Sequence, residues 1–561
     1  MRSTNKQFKL TCLAILACFS FVCSADKVVQ QKTPPLTPEQ MALLQKAAAQ
    51  ERLLVKTISE HPPLVQTYIQ HMQPDPQLGS VPYSDEYLLG RVDFSGVFNE
   101  NLFAQKGQKK RMFSGSKGFL GMLTGMFRLR FSANGFMDMM FVDASSFDQN
   151  HYSFAFVRNE FLGEVKTSVF DVQPKPHAGM GRFIGRVWID DESGNIVRFT
   201  GTFSGGNKRN LYFHFDSWRA NVQPDIWLPV AIYVQDLDFR GQTYIWGYGL
   251  KLPSRESENE SVIVENATDA SENTQDVNPL QATRQWQNQS EQNVLERLTR
   301  AGLLAPPSDF DHVLETVTNN IIIGNKLNLP EPVHCRVMLT STLESVAIGN
   351  TIVLSKGLID VLPYEEDLAA VLSFQLAHIV LGHGIDTRYA FNDRLLFPDE
   401  STFQRIAMNH SLEQNEEAAK KAVELFKGSV YGDKSGNVGL FLAQLVNMQQ
   451  RIPSLLMPRL GDSELRSDGQ PWLAALQQGA PALQVNNPQQ IAALPLGSHL
   501  RIDAWDDRVY QLHAPAAVIV SASDKMPFQV TPIYYRLTRY RPPQSTSTPE
   551  QTQTQAPAPG H

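Results

Sequence analysis

The stretch Glu365-Glu366-Asp367-Leu368-Ala369-Ala370-Val371-Leu372-Ser373-Phe374-Gln375-Leu376-Ala377-His378-Ile379-Val380-Leu381-Gly382-His383 decides how the fold is read. Its acidic start suits the positive end of a helix. Leu368, Val371, Leu372, Leu376 and Ile379 recur at helical spacing, which predicts a helix buried on one side. His378 and His383 are five residues apart, roughly 140° around an α-helix, and converge only if the helix ends between them. Gly382 and Gly384 make such an end feasible. The expected arrangement is a helix-end histidine at 378 and a solvated one at 383, with a relocated site that adds Asp386 as the rival.

This segment resembles the active-site helix of metallopeptidase family 48, the zinc endopeptidases of the HtpX and CAAX-prenyl-protease type. In that family a Leu-Ala-Ala-Val-Leu run leads into His-Glu-x-x-His. Two histidines four residues apart share a helix face and reach zinc, and the Glu acts as general base on the zinc-bound water. Here Phe374 stands at the first histidine and Gln375 at the general base; His378 alone keeps a ligand identity. Phenylalanine has no lone pair for a metal, and glutamine takes no proton at neutral pH.

The family's third ligand is the Glu of a Glu-x-x-x-Asp pattern on a later helix. The stretch Ser411-Leu412-Glu413-Gln414-Asn415-Glu416-Glu417-Ala418-Ala419 is similar to that helix, with Asn415 at the ligand and Ala419 at the supporting Asp. A shifted register offers Glu413, Glu416 or Glu417 instead. A downstream His-Pro of the family aligns with Met457-Pro458. A closed zinc site supplies roughly 10–16 kcal/mol of apparent binding free energy, which a single imidazole cannot approach. The expectation is therefore no catalytic residue, no cofactor and no metal, with zinc only under the rival reading of an atypical ligand set.

The resemblance covers about 295–460. It implies a helix at Leu314–Leu327, a hairpin over Val333–Ser355 whose edge lies along a substrate cleft, and a helix starting near Gly357. An edge near Leu339 or Ile352 would then receive an extended client by strand addition.

Around this core the chain is long, at 561 residues, with 42% hydrophobic and 19% charged residues and a net charge of -7. That length predicts two or three domains, and the thin charge without a basic stripe argues against nucleic-acid binding. Arg2, Lys6 and Lys9 precede an apolar run from Leu10 to Val22 and then Ser24-Ala25, the pattern of a signal peptide cleaved after Ala25. An uncleaved anchor and lipidation at Cys18 or Cys23 are the rival readings. Cys12, Cys18 and Cys23 lie in this leader, so Cys335 is left without a disulfide partner in the mature chain.

Residues 26–86 are expected to be helical, starting with Thr37-Pro38-Glu39-Gln40 and broken into two helices by Pro62-Pro63. From 87 to 250, short runs rich in Val, Phe, Tyr, Trp and Ile alternate with turn residues. Gly185–Asp190, Ile196–Thr200, Leu211–Phe215 and Ile226–Val230 are expected strands, with Glu192–Asn195 as a turn. Their aromatic residues are expected in the strand core. Residues 251–292 are acidic and polar and read as a linker. The metallopeptidase-like domain is placed at 293–460, a C-terminal α/β extension with a strand at Ala516–Val520 at 461–540, and a polar tail at 541–561.

The fold class expected is α+β: an N-terminal β-rich domain joined by an acidic linker to a mainly helical, zincin-like (gluzincin) domain with a small hairpin. The function expected is that of an exported pseudopeptidase, in the periplasm or cell envelope if bacterial and otherwise secreted, that binds peptide or protein clients. An active zinc endopeptidase and a lipid-binding envelope protein acting through the β-rich domain, with membrane or lipid association, are the alternatives.

Overall fold

The structure, a computed structural model, describes residues 35–75, 79–91, 138–144, 146–179, 181–204, 214–235, 239–250, 279–362, 364–387, 408–485, 500–503, 508–511 and 537–540. The leader, residues 251–278, the strand expected at Ala516–Val520 and the tail lie outside these residues. The chain is α+β, with a nine-stranded antiparallel sheet, a smaller four-stranded sheet and several helices. No helix among the described residues is long and apolar enough to cross a membrane.

Helix α1 (Pro38–Glu60) starts as the sequence predicts. Thr37 Oγ1 accepts from the Gln40 amide at 3.2 Å and Gln40 Oε1 accepts from the Thr37 amide at 2.9 Å, a reciprocal cap. Its buried stripe is Leu44, Ala47, Ala48, Glu51, Leu54 and Ile58. The second helix expected after Pro62-Pro63 is instead a strand, β1 (Leu64–Asp75). The two prolines end the helix, and Val65, Thr67, Tyr68 and Ile69 suit a pleated, buried surface better than a helical one. β1 turns back into β2 (Gly79–Arg91).

The large sheet continues as a meander: β3 (Tyr152–Leu162), β4 (Val165–Pro174), β5 (Phe183–Asp190), β6 (Ile196–Phe203), β7 (Phe215–Gln223), β8 (Ile226–Gln235) and β9 (Phe239–Trp246). The hairpin β1–β2 joins it on β9, giving the order β2-β1-β9-β8-β7-β6-β5-β4-β3. Three expected strands fall in β5, β6 and β8. The fourth overlaps β7 only at Phe215, and Leu211–Phe213 lie outside the described residues. The turn expected at Glu192–Asn195 is present, with Gly194 in the left-handed region at φ 70°. Phe183, Phe199, Phe203 and Phe215 pack edge-on and stacked on the face that α1 covers. On another part of the sheet the Arg198 guanidinium sits between the Trp188 and Trp218 rings, 4.4 and 4.5 Å from their centroids, and pairs with Asp216. Leu537 packs against this cluster, and Arg539 pairs with Asp190 at 2.9 Å.

The second unit begins with α2 (Pro279–Arg300), so helix replaces linker from 279 onward. It continues with α3 (Asp309–Gly324), β10 (His334–Met338), β11 (Glu344–Ile348), β12 (Thr351–Ser355) and α4 (Lys356–Val361). The hairpin expected over Val333–Ser355 is more elaborate. β10 and β12 run parallel, and β11, which composition did not reveal, turns back antiparallel on β12. Ile352 is therefore interior to the sheet rather than on an edge. Leu339 is no free edge either, because its amide donates to the Leu303 carbonyl at 2.7 Å.

The β1–β2 hairpin belongs to both units. Leu64, Tyr68, Tyr87 and Leu89 lie in the same apolar core as the helices of the second unit. Asp85 accepts from the amides of Ser454 and Leu455, both at 2.8 Å. The Ser341 amide donates to Gln66 Oε1 at 3.1 Å. Gly357 at the start of α4 closes on this junction: a Cβ there would lie 1.9 Å from the Ser341 carbonyl oxygen. Gly357→Ala is expected to destabilise the protein by about 1–3 kcal/mol through overpacking, read as a lowered urea midpoint. An unchanged midpoint would show that the junction yields freely.

Candidate functional site

The quoted stretch forms α5 (Glu365–Leu381). It is buried all round rather than on one side: every residue from Glu366 to His378 except Leu368 is buried. The apolar spacing identified the helix, but Ala369, Ala370, Ser373 and Ala377 are small enough for neighbours to close on the remaining faces. Those neighbours are α3, β11, α6 (Leu412–Lys427) and α7 (Ser435–Met448).

Phe374, at the expected first-ligand position, is fully buried. Its ring lies 6.2 Å from that of Trp472, nearly parallel, and 5.2 Å edge-on from His378. Gln375, at the expected base position, is also fully buried and donates from Nε2 to Ser345 Oγ on β11 at 2.8 Å. Ser345 in turn donates to Glu464 at 3.0 Å. Burial pushes the Glu464 carboxyl up to about 7, with Asp462 adding to the shift. Phe374 and Gln375 therefore do not fit the zinc site that the resemblance implies. The first pocket holds a packed ring and the base position holds a bonded amide.

His378, expected as an isolated helix-end histidine, instead has ligand-type neighbours. α5 ends at Gly382, which takes the left-handed conformation at φ 71°. The His383 amide then donates back to the His378 carbonyl at 2.9 Å and the Gly382 amide to that of Ile379 at 3.1 Å. This cap turns His383 inward, so the five-residue spacing converges after all. His383 Nδ1 lies 3.1 Å from His378 Nδ1, and its side chain is only 9% exposed, not solvated.

Two further residues complete the cluster, and the sequence reading named neither. His410 immediately precedes the capping box of α6, in which Ser411 and Gln414 satisfy one another. Its ring stacks on His378 with centroids 3.8 Å apart. Asp462 lies on β13 (Asp462–Ser463), which pairs with Glu344 and Ser345 of β11. His410 contacts Asp462 through Nδ1 at 2.6 Å, and its amide donates to the other carboxylate oxygen at 2.8 Å. Potential ligand atoms of His378, His410 and Asp462 all lie within 4.8 Å of one another, and all three residues are buried. The only sequence signals were a histidine beside a helix cap and an aspartate after a glycine, both separated from the quoted helix by intervening loops.

Asn415 faces this cluster. Its Nδ2 donates to the His410 carbonyl at 3.3 Å and to Asp462 at 3.4 Å. Ala419 is buried beside it. The shifted-register carboxylates do not enter: Glu413 is exposed, Glu416 pairs with Arg466 at 3.1 Å, and Glu417 lies outside, 3.4 Å from His383 Nε2. Burial, then the His410 and His383 rings, hold His378 down at about 2, so its imidazole is neutral; the Asn415 carboxamide beside it works the other way. Among the described residues, His378 Nε2, His410 Nε2 and Asn415 Oδ1 have no hydrogen-bond partner.

At the other end of α5, Asp367 is buried, and burial followed by Glu366 pushes its carboxyl well above the ordinary range. A raised folded-state pKa means that the unfolded chain ionises first as pH rises. The penalty is absent below about pH 4, where both states are protonated, and grows above it. Asp367→Asn is expected to raise stability at pH 7 by about 1–3 kcal/mol, with the gain vanishing toward pH 4 in urea unfolding. A gain independent of pH would contradict this assignment.

No protein-family model and no curated protein sequence matches the chain.

Proposed function

We propose that this chain is an exported, zincin-like protein related in plan to metallopeptidase family 48 that has lost hydrolysis and binds peptide or protein clients in the cell envelope. The observation that carries the reading is Gln375: where the peptidase plan needs a carboxylate facing water, the chain has a fully buried amide whose nitrogen is bonded to Ser345. A buried amide cannot accept the proton of an attacking water. The chain's own β13 occupies the edge of β11 beside this position, so a substrate strand has no place there.

The client is assigned to the opposite side of the small sheet. Beyond Ala305, whose amide donates to the Val337 carbonyl, a groove of about 480 Å³ runs beside β10. Asp309, Asp311 and Glu315 line it together with Arg336, His312 and His334, the two histidines both contacting Glu315. That charge balance suits an extended, basic segment. Fluorescence anisotropy with labelled extended lysine-bearing peptides tests this. The expected result is saturable binding that weakens at least about tenfold in Asp309→Asn/Glu315→Gln and at high salt. Equal affinity of the variant, or no binding by the intact chain, would overturn the groove assignment.

A further inference from the structure

The centre of the second unit holds a carboxylate and two imidazoles that three separate segments bring together out of contact with water. Burying such groups without partners is costly, on the order of 1–3 kcal/mol for each unsatisfied polar atom. Among the described residues, His378 and His410 nonetheless each leave Nε2 unpartnered, and Asn415 leaves its oxygen unpartnered. Their other polar atoms are engaged: His378 Nδ1 by His383, His410 Nδ1 by Asp462, and Asn415 Nδ2 by His410 and Asp462. His383 orients the His378 ring, as the outer neighbour of a metal-bound histidine does, whereas the His410 Nδ1–Asp462 contact joins two of the donors and opens when both turn to an ion.

We propose that His378, His410 and Asp462 ligate a divalent transition-metal ion, zinc by the donor set, in a closed structural site with Asn415 Oδ1 available for the fourth position. Two imidazoles and a carboxylate are donors that zinc accepts in tetrahedral geometry, whereas calcium and magnesium prefer oxygen throughout. Ligands of a tetrahedral zinc stand roughly 3.4 Å apart at bond lengths near 2.1 Å, so donor atoms that lie within 4.8 Å of one another must draw together to close on the ion. Of the set, His378 and Asn415 fall at positions of the peptidase pattern, and His410 and Asp462 do not. The set ties the C-terminus of α5, the N-terminus of α6 and β13 into one node. The proposal does not depend on the client assignment.

The test uses the full chain, purified without a histidine tag and dialysed against zinc. Metal content is measured by mass spectrometry, cobalt(II) substitution by visible absorption, and stability by thermal unfolding with and without zinc. The expected result is about one zinc per chain, tetrahedral cobalt bands, and a melting temperature several degrees higher with zinc. His410→Gln and Asp462→Asn should each remove most of the metal and the thermal shift, while Glu413→Gln, on the exposed side of α6, retains both. Folding of the variants is checked by circular dichroism, and the cobalt spectrum of the unaltered chain decides the matter if they misfold. An unaltered chain that binds no zinc or cobalt, or folded variants that keep full stoichiometry, would overturn the proposal.

Discussion

Replacing Glu344 by alanine is expected to cost about 3–5 kcal/mol and to loosen the loop that delivers Asp462 to the centre. Glu344 is fully buried. One of its oxygens accepts from three consecutive amides, those of Arg459, Leu460 and Gly461, at 2.7, 2.7 and 2.9 Å. The other accepts from the hydroxyls of Thr340 and Thr342. An alanine leaves all five donors without this acceptor. Each buried donor that finds no substitute costs about 1–3 kcal/mol, and entering water recovers part of the sum. Urea unfolding of the full chain should show the loss, and hydrogen exchange at 459–463 should accelerate while α1 stays protected. A loss below about 1 kcal/mol would show that the loop holds its position by packing alone.

The second large effect is expected at the ion pair under α1. Glu51 lies in the helix's apolar stripe because Arg219 of β7 awaits it, at 2.7 Å, with both side chains 1–2% exposed. Glu51 also accepts from the Val142 amide at 2.9 Å, and Arg219 donates to the carbonyls of Ile196 and Met140. Removing one member of such a pair leaves an uncompensated buried charge, which typically costs about 3–5 kcal/mol. Glu51→Ala should therefore lower the unfolding midpoint of the large-sheet unit sharply, whereas replacing both partners with apolar residues of similar volume should recover much of the loss. If the single and double variants lose equal stability, the pair is not the source of the effect.

Much of this architecture was legible because it is written locally. Thr37 and Gln40 announce a helix start within four residues, and the alternation around Glu192–Asn195 announces a hairpin. β1 escaped because the segment before Pro62-Pro63 is strongly helical and the composition beyond it, with Gln66, Gln70 and Gln73, looked similar. Its strand character comes from pairing with β2 and β9, partners that lie 4 and more than 160 residues away in sequence. The candidate site divides the same way. Phe374 and Gln375 could be placed on the buried helix from its apolar spacing. The Gly382 cap that brings His383 back was visible as a possibility, but its outcome depends on what receives the imidazole. His410 and Asp462 carry no spacing rule that ties them to His378; only the packing of α6 and the Glu344-anchored loop against α5 does so.

The claim on which the functional account rests is that this centre does not hydrolyse peptide bonds, with or without metal. The most direct measurement is cleavage of labelled casein by the full chain after loading with zinc, followed over hours against a metal-free control. The account predicts no cleavage above the control. Zinc-dependent cleavage that a chelator stops and that His378→Ala removes would contradict it.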